Sequence, residues 1–348
     1  MRILILGVDG YLGYHTQNYM RDKGHEVYGI DSFIKREIGE MPLAQNIMPG
    51  SDANFRWMST LDYDDLCGFI SQTQPEAIIH YAEIPSAPFS MENVFNARKT
   101  QENNISGTLN LLFAIKKFCP DTHLIKLASM GEYGSPGCDI PEGYIEDGPM
   151  KGLPFPKSPS SFYHLSKVHD SNNIIFACKT WGLRATDLNQ GIVYGGNAKF
   201  QYDSVWGTAL NRFIVQAVLR EPITVYGSGN QRRAFLNIKD TLQCVELACL
   251  NPAEFGKMRV FNQFTQTFQI NELAEMVSFR YGVEIEHLEN PRIESEISDL
   301  DVKNTSLINL GLKPHLLDEF VLDEIFEFVL ANKKDIRKEL LKPNINWR

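Results

Sequence analysis

The first 31 residues constrain the fold more than any other stretch. The apolar run Met1–Leu6 predicts a buried strand, because it is too short for a helix. A glycine-rich turn, a helical stretch to Asp22 and a second strand at His25–Asp31 follow it. This order of elements is a βαβ unit, in which a helix connects two parallel strands. The stretch therefore predicts an α/β fold.

Three glycines in the turn after the first strand have the spacing G-x-x-G-x-x-G: Gly7, Gly10 and Gly13. Glycine permits a tight turn, a close approach of the backbone to a pyrophosphate, and close packing of helix on strand. The helix N-terminus adds N–H groups and a partial positive charge that suit phosphates. The turn therefore predicts a dinucleotide site, against the alternative of a glycine-rich turn that binds nothing.

A carboxylate at the end of the second strand indicates which dinucleotide to expect. Asp31 can accept hydrogen bonds from ribose hydroxyls and would repel a 2′-phosphate. We therefore predict NAD rather than NADP, although Lys35 and Arg36 lie close behind and weaken the preference. A third strand is predicted at residues 54–58, and Asp62 after it is placed to meet the edge of the adenine.

Strand and helix patterns continue to alternate, with further strands predicted at 77–81 and 124–129. This alternation predicts a doubly wound, Rossmann-type parallel sheet with helices on both faces. We assign residues 1–188 to this NAD-binding domain, with a return of the chain at about 234–251. Residues 189–233 and 252–348 are assigned to a smaller, mixed α/β substrate domain, which ends in an amphipathic helix predicted from Pro314 to Leu341.

Candidate catalytic groups follow from strand ends and helix spacing. Ligands of such sheets bind beyond the carboxyl ends of the strands, which makes Ser129 a candidate hydroxyl. Tyr163 and Lys167, at i and i+4, share one face of a predicted helix. An ammonium stabilises a phenolate and lowers its pKa from the usual ~10, so that Tyr163 could take a proton from a hydroxyl. His164, with an ordinary pKa near ~6.5, is either a second acid/base or a packing residue.

Two further features have alternative interpretations. The segment 139–159 is rich in Pro, Gly and charge, and is either a loop that covers the site or a disordered linker. Arg233 and Arg292 stand in segments after the sheet. The guanidinium fork matches the oxygens of a diphosphate, so both are candidate substrate ligands; each could instead be a solvated surface arginine.

The composition excludes several classes of function. A chain of 348 residues with 43 % hydrophobic residues is typical of a globular protein with a sizeable core. The net charge of −9 argues against nucleic-acid and anionic-membrane partners. We find no apolar run near the ~18 residues that span a bilayer, and the opening strand predicts no signal peptide. The six cysteines have neither CxxC nor metal-site spacing, which favours reduced thiols, a cytoplasmic location and no metal.

Together, these residues resemble those of the extended short-chain dehydrogenase/reductase (NAD-dependent epimerase/dehydratase) family that acts on nucleotide sugars. The matching positions extend over nearly the whole chain: Gly7, Gly10, Gly13, Asp31, Asp62, Asn104, Ser129, Tyr163, Lys167, Arg233, Asp240 and Arg292. Within the family, longer strings are similar to the branch that adds sulfite to a UDP-linked glucose. They are residues 86–91 (SAPFSM), 130–134 (MGEYG), 160–170 (SSFYHLSKVHD), 185–191, 207–213 and 260–265.

The resemblance implies a reaction on UDP-glucose. NAD would oxidise C4, water would be eliminated across C5 and C6, sulfite would add at C6, and C4 would be reduced again. Tyr163 would be the base at C4, Lys167 would assist it and bind ribose, and Ser129 would hydrogen-bond the C4 oxygen. Sulfite could arrive free or from a partner protein. Related enzymes dimerise through the helices equivalent to 104–117 and 162–179, so a homodimer is expected.

The resemblance also implies two sets of binding residues. The cofactor would be held by Gly7, Asp9, Gly10, Tyr11, Leu12, Gly13, Asp31, Asp62, Tyr81, Tyr163, Lys167 and Gln190. The substrate would be held by Ser129, Tyr163, Gln190, Arg233 and Arg292.

The sequence departs from the family pattern in ways that leave alternatives. Ser129 replaces a threonine, which keeps the hydroxyl, and Ile84-Pro85 replaces a Gln-Arg pair, which removes a cation that could serve sulfite. Nucleotide-sugar 4,6-dehydratases have an Asp-Glu pair where this chain has Met130-Gly131, so that activity is disfavoured. A UDP-sugar 4-epimerase, another sugar-nucleotide-modifying relative and a catalytically silent NAD-binding scaffold remain open.

Overall fold

The computed structural model describes residues 1–34, 54–134, 136–196, 207–291, 302–336, 338 and 341. The strands of this part of the chain are β1 (Arg2–Leu6), β2 (Glu26–Asp31), β3 (Phe55–Trp57), β4 (Ala77–His80), β5 (His123–Ser129), β6 (Arg184–Gln190), β7 (Ile192–Tyr194), β8 (Ile223–Tyr226), β9 (Arg232–Asn237), β10 (Met258–Gln263), β11 (Gln266–Gln269) and β12 (Ile285–Leu288).

The helices are α1 (Tyr11–Asp22), α2 (Tyr63–Thr73), α3 (Ala87–Glu92), α4 (Val94–Gln101), α5 (Gly107–Phe118), α6 (Phe162–Trp181), α7 (Ala209–Leu219), α8 (Ile238–Leu250), α9 (Ile270–Tyr281), α10 (Thr305–Asn309) and α11 (Glu319–Ala331). A π-helical turn, Glu102–Ser106, joins α4 to α5. Short 3₁₀ turns follow β5 and α11, at Met130–Glu132 and Lys333–Asp335.

Seven parallel strands form the central sheet in the order β10-β6-β5-β4-β1-β2-β3. The order reverses between β1 and β4, where the crevice for a ligand opens beyond the strand ends. The predicted doubly wound parallel sheet is confirmed. In register, Ser129 of β5 lies beside Gln190 of β6, so their side chains share the carboxyl edge of the sheet.

Both faces of the central sheet are covered, which explains why β1 is a continuous apolar run. Leu4 and Leu6 pack towards α2, α5 and α6, whereas Ile3 and Ile5 pack towards α1 and α8. All four side chains have 0 % exposure. Alternate residues of a strand point to opposite faces, so Ile3 to Leu6, which lie between two helical layers, are apolar at every position.

A second, smaller unit is mixed α/β, as predicted. It contains the three-stranded sheet β11-β9-β7 and the pair β12-β8. Its core gathers apolar side chains of α7, α9 and α11. The predicted boundary differs from the structure at β10, which pairs with β6 as the last strand of the central sheet although residues 252–348 were assigned to the substrate domain.

The last predicted helix is shorter than the pattern indicated. The structure has α11 from Glu319 to Ala331, whereas the prediction ran from Pro314 to Leu341. Asp318 caps the N-terminus, where its carboxylate accepts a hydrogen bond from the Val321 N–H at 2.9 Å. In the described ranges, no helix combines the length and apolar character that crossing a membrane requires.

Candidate active site

The glycine turn after β1 is fixed by close packing at two of its three glycines. Gly7 has a φ of +81°, and a Cβ there would lie 2.8 Å from the backbone of Tyr81. A Cβ at Gly13 would overlap the carbonyl oxygen of Gly7. Both positions therefore require glycine for the fold itself, whatever binds nearby.

Gly10 differs, because little of the protein crowds it. A Cβ there would meet only the Gly7 carbonyl oxygen, at 3.3 Å, among the described residues, and Gly10 lines the pocket beside the turn. Gly10 is also the N-cap of α1, and no side chain caps this helix end. An uncapped helix N-terminus with open space in front of it fits a pyrophosphate group.

The side chains of Tyr11 and Leu12 are used for packing. They lie against an apolar cluster of the second unit that includes Val193, Leu236 and Ile238, and the Tyr11 hydroxyl donates to a backbone carbonyl there. The backbone N–H groups of these two residues, in the first turn of α1, remain candidates for contact with a cofactor phosphate.

The pocket beside the glycine turn contains Asp31 at its other end. The two carboxylate oxygens of Asp31 accept hydrogen bonds from the N–H of Asp9 at 2.9 Å and of Phe33 at 2.8 Å. Asp9 also lines the pocket and is 2 % exposed. The negative charge of Asp31 is thus held in place at the pocket wall by two backbone donors.

Two other predicted cofactor residues lie at different depths. Tyr81 lines the pocket, and its hydroxyl lies 3.2 Å from the Thr16 hydroxyl. Burial raises the pKa of Tyr81. Asp62 is exposed at the start of α2, where it accepts a hydrogen bond from the Ser59 N–H at 3.3 Å. The wall of the pocket in this segment is formed by Met58 and Thr60.

The helix that carries Tyr163 is held by polar contacts at its N-terminus. Ser161 caps α6 by accepting from the His164 N–H at 3.2 Å, and Ser90 of α3 accepts from the Tyr163 N–H at 3.0 Å. Asn104, in the π-helical turn, donates to the Ser166 hydroxyl at 2.9 Å and accepts from the Ile84 N–H at 2.8 Å. The turn therefore connects α6 to the loop after β4, and π-turns of this kind are frequent at functional sites.

Lys167 is the most constrained of the predicted catalytic residues. Its Nζ lies 2.5 Å from the carbonyl oxygen of Leu127, 2.6 Å from a carboxylate oxygen of Glu83, and 5.5 Å from the centre of the Tyr163 ring. The lysine and glutamate side chains are 3 % and 2 % exposed. The structure thus brings Tyr163 and Lys167 together, as predicted. It also places the carboxylate of Glu83 beside Lys167, which the sequence analysis did not predict.

The hydroxyl of Ser129 is oriented by the turn that follows it. It accepts a hydrogen bond from the Gly131 N–H at 3.1 Å, while the Ser129 N–H donates to Glu132 at 3.0 Å. The second carboxylate oxygen of Glu132 lies 2.5 Å from Nζ of Lys157. Lys157 belongs to the segment 139–159, so this segment contacts the Ser129 turn. The first part of the segment packs on β10, where Gly143 lies against Val260.

His164 lies against the same turn. A Cβ at Gly131 would overlap the imidazole of His164 at Nε2, and Nδ1 of His164 lies 2.8 Å from the Ser161 hydroxyl. The ring of Tyr163 is 4.8 Å from that of His164. The imidazole therefore occupies the space that a side chain at position 131 would need, and the turn is close to the predicted catalytic tyrosine.

Beneath α6 lies a cluster of buried charges. Lys126 of β5 lies 3.7 Å from Asp187 and 3.8 Å from Glu132, with all three side chains 0 % exposed. Its ammonium also donates to the Lys167 carbonyl oxygen at 2.9 Å and to the Ser171 hydroxyl at 3.2 Å. Burial lowers the pKa of Lys126, but Asp187 and Glu132 outweigh burial and the net shift is upward.

Asp170, one turn after Lys167, is also fully buried. Burial, together with the charge of Glu83, raises the pKa of Asp170 well above that of a free aspartate. Glu83 behaves oppositely: burial would raise its pKa, but Lys167 and Lys126 outweigh burial and lower it. The pKa values of these two neighbouring carboxyl groups are therefore shifted in opposite directions, downward for Glu83 and upward for Asp170.

Of the three remaining predicted substrate residues, the structure describes Gln190 and Arg233. The Oε1 atom of Gln190 is buried and has no hydrogen-bond partner among the described residues, at the sheet edge beside Ser129. Arg233 lies half-buried on β9, and its guanidinium donates to the Arg232 carbonyl oxygen at 2.9 Å. Arg292 lies outside the described residues.

Sequence reasoning missed Glu83, the bridging contacts of Asn104 and the buried cluster around Lys126. Glu83 could have been found, because it follows β4 just as Asp31 and Ser129 end their strands. The described residues contain no cluster of three or more potential metal ligands. The six cysteines are unbonded thiols; five are buried and Cys138 is exposed.

A family model and two similar proteins of known name indicate the same family for this chain. Residues 3–262 match the model of the NAD-dependent epimerase/dehydratase family. The chain is 42 % identical to the chloroplastic UDP-sulfoquinovose synthase of Spinacia oleracea, over 100 % of this chain and 79 % of that protein. It is 34 % identical to the UDP-sulfoquinovose synthase of Sulfolobus acidocaldarius, over 100 % of this chain and 98 % of that protein.

Solved structures show the same fold at lower identity. The UDP-glucose 4-epimerase of Thermotoga maritima has a TM-score of 0.74 at 21 % identity, covering 96 % of this chain and 100 % of the other. The UDP-glucuronic acid 4-epimerase of Bacillus cereus has a TM-score of 0.75 at 20 % identity, covering 95 % and 100 %.

Proposed function

This chain belongs to the NAD-dependent epimerase/dehydratase family, and within that family we propose that it is a UDP-sulfoquinovose synthase. One observation carries the proposal: the whole chain aligns with two proteins of that name, from a plant and an archaeon, at 42 % and 34 % identity. The substrates would be UDP-glucose and sulfite, and the product a sugar nucleotide with a sulfonate at C6.

The proposed cofactor is NAD, which when bound supplies the oxidant for C4 and later the reductant for the same carbon. The start of α1, which no side chain of the described residues caps, and the position of Gly10 in the pocket wall support pyrophosphate binding there. The fixed carboxylate of Asp31 supports recognition of a ribose diol and disfavours a 2′-phosphate. Asp9, Tyr81 and the backbone at Tyr11 would complete the cofactor site.

We assign the proton transfer at C4 to Tyr163, assisted by Lys167 and Ser129. The ammonium of Lys167 lies near the Tyr163 ring and favours the phenolate that accepts the proton of the C4 hydroxyl. Ser129 already accepts one hydrogen bond from the Gly131 N–H, so its own proton is directed elsewhere and can meet the C4 oxygen. The open Oε1 of Gln190 beside it is a candidate acceptor for the substrate.

The elimination needs a group that removes the C5 proton and a group that protonates the departing C6 hydroxyl. We propose His164 for this work, because its imidazole fills the space at Gly131 where dehydratases of the family place an acidic side chain. His164→Ala should still oxidise C4 but fail to exchange solvent deuterium into C5. Exchange at the wild-type rate in this variant would make His164 a packing residue.

Recognition of the nucleotide and of sulfite needs positive charge or hydrogen-bond donors. Arg233 and Arg292 remain candidate ligands of the diphosphate. Pro85 stands where the family pattern has the arginine, so this position offers no cation to sulfite. Sulfite would therefore be held by other groups or delivered by a partner protein.

The proposal is tested by incubating the purified protein with NAD, UDP-glucose and isotopically labelled sulfite and analysing the products by mass. A UDP-linked sugar that carries labelled sulfonate is expected. Conversion to UDP-galactose without sulfonate would indicate a 4-epimerase instead, and unchanged UDP-glucose would indicate a binding scaffold.

We also propose that the protein is a homodimer. Adjacent helices α5 and α6 expose large apolar side chains on the outer surface: Leu109, Phe113, Phe162, Leu165 and Phe176. Phe176 is 61 % exposed. Phe176→Asp should give a monomer in analytical ultracentrifugation, whereas Phe279→Asp, at a 94 % exposed position on α9, should leave the dimer intact. A wild-type monomer at micromolar concentration would contradict this.

A cytoplasmic location is the accompanying proposal. The unbonded state of all six cysteines, five of them buried, supports a reducing compartment. A fluorescent fusion that localises outside the cytoplasm would contradict it.

A further inference from the structure

Glu83 is a buried carboxylate that the proposed mechanism does not use. It follows β4 at the carboxyl end of the central sheet, where the strand order reverses between β4 and β1. Its side chain is 2 % exposed, yet it lines the same pocket as Gly10 and Asp31. A buried acidic group that faces a ligand pocket needs a physical reason, because burying a charge is costly unless the charge is paired.

The ion pair with Lys167 offsets only part of the free-energy cost of burying the Glu83 carboxylate. One carboxylate oxygen, Oε2, lies 2.6 Å from the Lys167 ammonium. Within the described ranges, both carboxylate oxygens are buried and neither accepts a hydrogen bond of normal geometry, so Oε2 is held by the ion pair alone. Because an ionised carboxylate offers about four acceptor positions, Glu83 keeps unused acceptor capacity at the pocket.

The backbone holds Glu83 in a fixed place. Its N–H donates to the Tyr81 carbonyl oxygen at 2.7 Å, and the next residue, Ile84, donates its N–H to the Asn104 side chain at 2.8 Å. The position of the carboxylate is therefore set on both sides, by the end of β4 and by the π-helical turn.

The order of the groups along the sheet edge matches the order of parts in a dinucleotide. Asp31 ends β2, the glycine turn follows β1 and Glu83 follows β4, and these three strands are neighbours in the order β2-β1-β4. Strands are about 4.8 Å apart, so the two carboxylates flank the glycine turn at about one strand spacing on either side. A carboxylate, a phosphate-binding turn and a second carboxylate correspond to ribose, pyrophosphate and ribose.

The pair of Glu83 and Lys167 also matches the chemistry of a diol. A hydroxyl group both donates and accepts hydrogen bonds, whereas an ammonium can only donate and an ionised carboxylate can only accept. Lys167 donates a hydrogen bond to the Leu127 carbonyl oxygen and forms an ion pair with Glu83. Because an ammonium has three donors, these contacts within the described residues leave donor capacity for a ligand. Side by side, the two groups can satisfy two neighbouring hydroxyls.

We propose that Glu83 binds the nicotinamide-side ribose of NAD, accepting a hydrogen bond from one hydroxyl while Lys167 donates to the same diol. The inference rests on the proposed function only in taking NAD as the cofactor. It makes Glu83 the counterpart of Asp31: each carboxylate recognises one of the two riboses. The alternative is that Glu83 is only the counterion of Lys167, without contact to the cofactor.

Cofactors that lack one hydroxyl distinguish these two roles. We would measure dissociation constants by competition for NAD, for the 2′-deoxy and 3′-deoxy analogues of its nicotinamide ribose, and for the 2′-deoxy analogue of its adenosine ribose. The proteins are the wild type, Glu83→Gln and, as a matched control at the other carboxylate, Asp31→Asn.

The wild type should bind one nicotinamide-ribose analogue about 10- to 100-fold more weakly than NAD, the range expected for loss of a hydrogen bond to a charged group. In Glu83→Gln this discrimination should fall below about threefold, while discrimination against the adenosine-ribose analogue is unchanged. Asp31→Asn should show the reverse pattern. If Glu83→Gln does not fold, Glu83→Asp keeps the charge but withdraws the carboxylate by one methylene, and the same loss is expected.

Equal weakening of NAD and both nicotinamide-ribose analogues in Glu83→Gln would overturn the inference, because a counterion of Lys167 affects all of them alike. Unchanged binding of all three cofactors would overturn it as well. A wild-type protein that binds no NAD would instead overturn the proposed function, and this inference with it.

Discussion

Two buried regions of this protein are built from different kinds of side chain: the charged cluster beneath α6 and the core of the second unit. Beneath α6, Lys126, Asp187 and Glu132 are charged and fully buried. In the second unit, the core under α7 is mainly apolar, with Phe213 and Val225 at 0 % exposure, and contains no buried ion pair among the described residues. An apolar core requires side chains of the right total volume and tolerates exchange between similar ones. A buried polar network also fixes the orientation of its side chains, because hydrogen bonds are directional. The charged cluster lies beneath the helix that carries Tyr163 and Lys167, whose side chains need a fixed orientation for catalysis.

The contacts of Lys126 show how the charged interior acts. Its ammonium donates to the carbonyl oxygen of Lys167 and to Ser171, both on α6. Ser171 in turn donates to Asp187 at 2.6 Å. The helix that carries Tyr163 and Lys167 is therefore held to the sheet by directional bonds. Replacing buried ion pairs by apolar groups is often neutral for stability, so we attribute their presence here to positioning.

The largest effect on turnover is expected from removing the Tyr163 hydroxyl, which should leave the stability of the fold unchanged. Tyr163→Phe should lower turnover of UDP-glucose by about 10²- to 10⁴-fold, the usual contribution of a general base, with no change in the free energy of unfolding. No NADH absorbance should develop in this variant. Tyr28→Phe is the control, because the Tyr28 hydroxyl bonds Glu26 at the surface. Full turnover in Tyr163→Phe would refute the assignment of the base.

Removing the central cation should have the largest effect on stability. Lys126→Met leaves Asp187 and Glu132 buried without their ammonium, and losing one partner of a buried ion pair costs about 3–5 kcal/mol. Urea unfolding measures this loss. A change below about 1 kcal/mol would mean that the two carboxylates find other partners, and that the interior is not held by directional bonds.

Buried histidines should make the central sheet sensitive to acid. Burial lowers the pKa of His123 to about 3, so the folded protein keeps it neutral while the unfolded chain protonates it near pH 6.5. Stability from His123 is therefore present above pH 6.5 and lost as the pH falls towards 4. The stability difference between the wild type and His123→Gln should shrink over this range by up to about 3 kcal/mol. A constant difference would show that His123 does not remain neutral.

Asp170 should respond in the opposite direction. Its folded pKa is raised by burial and by Glu83, so its stabilising contribution is present below the unfolded pKa near 3.8 and is lost as the pH rises through the folded value. Asp170→Asn should therefore gain stability relative to the wild type as the pH rises above about 3.8, which thermal unfolding at a series of pH values measures. A gain that does not grow with pH would mean that Asp170 is ionised in the folded protein.

The smallest effect is expected in the apolar core. Phe213→Leu keeps a large apolar group in α7 and should cost below about 1.5 kcal/mol, with the same cost at pH 4 and pH 7. Turnover per folded molecule should not change. A loss of turnover comparable to that of Lys126→Met would remove the distinction between the two interiors.

Local patterns explain how much of the molecule could be predicted. The βαβ start, the strand ends at Asp31 and Ser129, and the Tyr163–Lys167 spacing depend on neighbours within a few residues, and sequence shows these directly. The cluster around Lys126 could not be predicted, because Asp187 is distant in sequence and a lysine within an apolar strand gives no sign of its partner. Periodicity also extended the last helix beyond its true ends, since it does not record the Asp318 cap.

The central claim is that one site oxidises C4 of UDP-glucose only transiently while sulfite is added at C6. The most direct test uses UDP-glucose with deuterium at C4, together with sulfite and NAD, and analyses the product by mass spectrometry and NMR. We predict a sulfonated sugar nucleotide that retains deuterium at C4, because the atom removed from C4 is returned to it. Sulfonated product without that deuterium, or deuterated UDP-galactose without sulfonate, would contradict the account.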